Sequence, residues 1–156
     1  MSFRITGLDF AAFRSLVGLP DDALRARGAV RVLADRSPGY PDRIELRDAL
    51  PGEQLILVNY LHQPADSPFR ASHAVFVLEH PQERYDRVDE VPEVLRSRMI
   101  SLRAFDEEGM IAGAELCRGT ELEPSIDRLL AQPRTSYLHL HYAAYGCYAC
   151  RVDRVS

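Results

Sequence analysis

The chain has 156 residues, 46% hydrophobic and 27% charged, with a formal net charge of −4. This fits one domain over residues 1–156, with no apolar run near the roughly 20 residues of a membrane span and no basic stripe for nucleic acid. All 19 basic residues are Arg, which removes Schiff-base chemistry and phosphate-loop or kinase-type lysines.

The first ten residues lack the basic segment and apolar core of a secretory signal, so the expected compartment is the cytoplasm. There the 3 cysteines are thiols or ligands, since an odd number cannot all pair.

In chain order, residues 2–6 read as a strand. A helix follows from an Asp9 cap, with Phe10, Phe13, Leu16 and Val17 at helical spacing and Gly18 as its end. Pro20 and Gly28 bracket a second short helix. Residues 29–34 alternate as a strand, and a second run at 43–46 leads to the Pro51-Gly52 turn. Residues 54–62, the most apolar run, suggest a central strand covered on both faces, with Asn59 and His62 as polar exceptions. Residues 63–68 are a proline-broken loop, β structure resumes at 74–79, and 84–90 are charged and exposed. Pro92 opens a short helix. Residues 99–105 and 110–116 form a hairpin through Asp106 to Gly109. Ile126, Leu129 and Leu130 mark a last helix between Glu123 and Pro133. With about seven strands, mostly joined by turns, and several short helices, the expected class is α+β, a single compact domain on an antiparallel or mixed sheet.

Residues 136–153 hold the densest chemistry, with His139, His141, Cys147 and Cys150 around Gly146. On a strand Leu138, Leu140 and Tyr142 share one face, and His139 and His141 the other. On the return strand Tyr148, Cys150 and Val152 form an apolar set. Pairing Leu140 with Tyr148 gathers all the apolar side chains, so His141 is expected opposite Cys147 and Cys150 in the core. Cys147 and Cys150 then point to opposite faces, which argues against a Cys-x-x-Cys redox or zinc motif.

Two imidazoles and a thiolate on one face are a donor set for a divalent metal such as zinc or iron, and His139, His141 and Cys147 are the candidate ligands. The bland alternative is histidines on a solvated strand. A cupin is set aside because Tyr145 and Gly146 stand where its glutamate is needed. Cys147 with His141 as nucleophile and base lacks an orienting third group, so no catalytic residue is assigned. His62, at the end of the central strand, is a candidate ligand or base, and Asn59 and Arg151 are candidate small-molecule contacts. His73, His80 and Cys117 read by default as core or surface residues.

Gly39-Tyr-Pro41 with Arg43, Pro51-Gly-Glu53, Asn59-Tyr-Leu-His-Gln-Pro64, Ser101-Leu-Arg-Ala-Phe-Asp106, and Tyr137-Leu-His-Leu-His141 with Gly146-Cys-Tyr-Ala-Cys150 together resemble a small bacterial family, domain of unknown function 1203. The family commonly has Cys after the Tyr-Pro pair, where this chain has Asp42, so a cysteine site there does not carry over. The resemblance implies one compact bacterial domain and no particular activity. Two functional readings stay open: a metal or small-ligand pocket on the last hairpin, or an interaction module without catalysis that forms a homodimer through that hairpin as a sheet edge.

Overall fold

In the computed structural model, which describes residues 2–156, the strands form two antiparallel sheets. The strands are β1 (Phe3–Thr6), β2 (Ala29–Leu33), β3 (Gln54–Gln63), β4 (Ala71–Leu78), β5 (Asp86–Val88), β6 (Met99–Phe105), β7 (Ile111–Arg118), β8 (Tyr137–Tyr142) and β9 (Cys147–Arg154). The larger sheet has the order β5-β1-β9-β8-β6-β7 and the smaller β2-β3-β4. The helices are short: α1 (Asp21–Arg25), α2 (Glu93–Arg96) and α3 (Leu122–Ala131). This is the expected α+β class in one compact domain, with more strands than the sequence suggested. No helix among the described residues is long and apolar enough to cross a membrane.

Each sheet has its own core. Leu122, Ile126, Leu129 and Leu130 bring the apolar stripe of α3 onto Leu102, Leu138, Leu140, Cys150 and Val152 of the large sheet. Burying each Leu or Ile side chain contributes roughly 1.5–3 kcal/mol. The second core packs Phe13, Leu24, Ile44, Ile56, Val58, Val75 and Val77 around the small sheet, and Tyr148 of β9 joins it. The last hairpin therefore touches both cores.

Residues 9–17 form two 3₁₀ turns instead of the expected α-helix. The Asp9 cap is present, its carboxylate accepting from the Ala11 N–H at 2.9 Å. The segment is too short to propagate a helix before Gly18, which has φ +73°. β3 is central in its sheet as expected, between β2 and β4. The 106–109 connection holds, with Gly109 at φ +78°.

Two expectations about the last hairpin need correction. Leu140 pairs with Cys150 and Leu138 with Val152, and beyond Leu140 the register shifts so that His141 faces Tyr148 and Tyr142 faces Cys147. The pairing of Leu140 with Tyr148, and of His141 with Cys147, is therefore not formed. A β-bulge at Ala149 is the reason: the extra residue rotates everything before it by one step. Simple alternation could not anticipate this, because the bulge serves both cores at once. It keeps Cys150 and Val152 in the first and delivers Tyr148 to the second. The hairpin is also no sheet edge. β9 is paired to β1 and β8, and β8 to β6 and β9, which leaves β5 and β7 at the margins. Self-association by edge pairing of β8 or β9 has no free strand to use.

Candidate metal centre

The histidines meet where the two sheets face each other. His139 and His141 project from β8 on the face opposite Leu138 and Leu140, as period-two alternation requires. His62 comes from the far end of β3, at a second register irregularity, between Leu61 and Gln63. Bulges of this kind re-aim a side chain. Here His62 becomes 7% exposed while its neighbour Leu61 faces out at 39%.

One ring nitrogen from each of His62, His139 and His141 lies within 4.8 Å of the others. The ring centroids of His62 are 6.0 Å from His139 and 5.1 Å from His141, both edge to face. His73 of β4 completes the group, its Nδ1 lying 2.8 Å from His62 Nε2. Tyr148 stacks on His62 at 5.1 Å, the contact that the Ala149 bulge creates.

Three buried nitrogens in this group, His62 Nδ1, His139 Nδ1 and His141 Nε2, have no hydrogen-bond partner among the described residues. Buried polar atoms are nearly always paired, and each orphan costs roughly 1–3 kcal/mol. The other nitrogens explain which tautomer is present. His141 Nδ1 lies 2.9 Å from the Gly146 carbonyl, which only accepts, so Nδ1 carries the proton and Nε2 keeps a lone pair. His62 can likewise donate from Nε2 to His73 Nδ1 and leave its own Nδ1 as a lone pair. Ligating histidines are commonly oriented by such outer hydrogen bonds to a carbonyl or another acceptor.

Burial holds all three imidazoles unprotonated. It pushes His62 down to about 4, with the neighbouring His73 and Arg103 adding to the effect. Burial pushes His139 and His141 to about 3, reinforced by the other histidines and by Arg103. Arg103 on β6 lies directly across from His139. Its one side-chain hydrogen bond runs from Nε to Ser101 Oγ at 3.3 Å, and it forms no ion pair among the described residues.

The sequence-derived candidates separate in the structure. His139, His141 and His62 come together. Cys147 lies apart, across from Tyr142 and lining a cleft that also contains Arg43. Asn59 is exposed, opposite Ala74. Arg151 pairs across β8 with His139, yet its guanidinium is engaged by Asp153 at 2.9 Å and lies 4.2 Å over the Tyr137 ring. The sequence reading missed His73, Arg103 and Tyr148. His73 stood just before the strand expected at 74–79 and read as a core or surface residue, and nothing local said that β4 would bring it to His62.

The donor set fits a borderline divalent cation. Zinc takes imidazole nitrogens at about 2.0–2.1 Å, so three ligands around one ion stand about 3.3 Å apart, and rotamer shifts of about an ångström would close the present spacing. Three protein ligands leave a further position open to water or substrate.

No curated protein and no solved structure matches this chain. A family model does match, over residues 39–154, which takes in Arg43, both sheets' central strands and all of the clustered histidines. The chain belongs to the family described as protein of unknown function (DUF1203).

Proposed function

We propose that this protein binds one divalent metal ion, zinc or iron, through His62, His139 and His141. The observation that carries the reading is three buried imidazoles, each with one ring nitrogen within 4.8 Å of the others and each with a ring nitrogen that lacks a hydrogen-bond partner among the described residues. Unpaired buried nitrogens are costly, and a metal held by the cluster would use their lone pairs. Arg103, across the ladder from His139 and without an ion pair among the described residues, favours a small anionic ligand or a metal-bound hydroxide at such a centre. The three free thiols suit a reducing, cytoplasmic setting.

Tag-free protein, loaded with zinc or ferrous iron and desalted, should retain one equivalent by elemental analysis. His62→Ala and His141→Ala should each abolish retention. Absence of retained metal in the wild type, together with no rise in melting temperature on loading, would overturn the proposal.

A further inference from the structure

A second site, separate from the histidines, lies in a cleft of about 580 Å³ between the turn of the last hairpin and the small sheet. That volume is in the range of small-molecule pockets. Leu57, Ala74 and Phe76 form one wall, and Met99, Ala143 and Ala144 the other. These side chains offer no polar atoms. The polar groups lining the cleft are Arg43, Arg98, Tyr142, Tyr145 and Cys147.

Arg43 is only 3% exposed. Its Nε donates to the Tyr148 carbonyl at 2.9 Å and its Nη1 to the Pro41 carbonyl, and its Nη2 has no partner among the described residues. No carboxylate among the described residues forms an ion pair with it. The adjacent Asp42 instead accepts from the backbone N–H groups of Ile44, Glu45 and Leu78. The second guanidinium differs, because Arg98 is neutralised by Asp48 at 2.8 Å. Both guanidinium groups lie over the Tyr142 ring, at 5.0 and 5.3 Å from its centroid. The Tyr142 hydroxyl, also buried, has no hydrogen-bond partner among the described residues.

A guanidinium stays charged at any ordinary pH, and burying it without a counter-charge is among the costliest arrangements a fold can hold. An unpaired guanidinium at a cleft with apolar walls describes the complement of an amphipathic monoanion. We infer that the cleft binds a small carboxylate with an apolar body, its carboxylate on the free Nη2 edge of Arg43 and its hydrocarbon against Leu57, Phe76 and Met99. A phosphate dianion fits less well, since the cleft has one uncompensated charge and few donors. The site does not depend on a metal at the histidines and is expected with or without one.

Octanoate is the probe, with octanol and octylamine as controls of equal hydrocarbon length. Octanoate should raise the melting temperature and slow iodoacetamide alkylation of Cys147, which lines the cleft, while the two controls do neither. Arg43→Gln should weaken octanoate binding at least about tenfold, the scale of a lost charge-assisted bond. If that variant does not fold, Ala74→Glu serves. Ala74 lines the cleft from an exposed position on β4, so the change should leave the fold intact while its carboxylate repels octanoate and weakens binding about 3–10-fold. Octanol performing as well as octanoate, no protection of Cys147, or unchanged octanoate affinity in whichever variant folds would each overturn the assignment.

Discussion

His62 stands on the three-stranded sheet and His141 on the six-stranded one, and their rings meet edge to face with centroids 5.1 Å apart. An ion held by both would tie the two sheets together, so metal binding and fold stability should be linked. Free metal at a hundred times its dissociation constant should add about 2.7 kcal/mol to the unfolding free energy, and a chelator should remove it. His62→Ala, His139→Ala and His141→Ala should each lose that increment, whereas Cys147→Ala should keep it. Thermal denaturation with and without zinc checks this, and an equal increment in all four variants would mean that the ion binds elsewhere.

Acid should expose the same cluster. The native imidazoles titrate at about 4 for His62 and about 3 for His139 and His141, while in the unfolded chain they return to 6.5. Between those values the unfolded state holds protons that the native state refuses, so stability falls as pH drops below about 6.5. Each fully differential imidazole is worth about 1.4 kcal/mol per pH unit. Asp42 works in the opposite sense, because burial lifts its native value to about 6 and the folded chain gains that proton first. These four groups leave a net uptake of about two protons on unfolding, a slope of about 3 kcal/mol per pH unit near pH 5, and His73, also lowered by burial, adds in the same sense. Urea titrations at several pH values measure it in metal-free protein. His139→Gln should flatten the slope by about one proton, and an unchanged slope would contradict the burial argument.

The fold class was legible because turn chemistry and apolar periodicity agreed along most of the chain. The Asp106–Gly109 hairpin, the stripe of Ile126, Leu129 and Leu130, and the apolar run at 54–62 are all local signals, and local signals survive folding. The site was half legible. Alternation alone put His139 and His141 on one face of a strand, and His62 drew notice as a polar residue ending an apolar strand. What alternation could not supply were the irregularities at Ala149 and His62. The first exchanges Cys147 for Tyr148 on the histidine face. The second sits where His62 turns inward from another sheet. Both depend on how two sheets pack, information no window of consecutive residues contains. Arg103 was hidden for a similar reason, since its register against His139 depends on β6 lying beside β8.

The two cysteines of the last hairpin should behave differently. Cys150 is fully buried, and burial pushes its thiol up to about 12. Cys147 is partly accessible at the cleft. Iodoacetamide on native protein should therefore modify Cys147 and leave Cys150 untouched, as read by peptide mass spectrometry. Cys150→Ser should destabilise by roughly 1–3 kcal/mol, because it buries a stronger hydrogen-bonding group among Leu140, Leu138 and Val152. Cys147→Ser should change stability little. Comparable labelling of both thiols in the native state would refute the observed register.

Asp42 fixes the loop that carries Arg43, and its removal should cost stability. One carboxylate oxygen accepts from the Leu78 N–H at 2.7 Å, and the other accepts from Ile44 and Glu45. The side chain is wholly buried. Asp42→Asn keeps the shape but presents an amide NH₂ where one set of donors expects an oxygen, leaving at least one backbone N–H unpaired at roughly 1–3 kcal/mol. The pH dependence distinguishes this from mere repacking. The native carboxyl titrates at about 6 against 3.8 unfolded, so wild type gains stability from native protonation as pH falls between those values, and Asn cannot. The gap between wild type and Asp42→Asn should therefore be smallest above pH 6 and widen toward pH 4. Denaturant midpoints at pH 7.5, 6 and 4.5 would show it, and a gap that narrows on acidification would mean that the fold prefers Asp42 charged and that its backbone donors outweigh its burial.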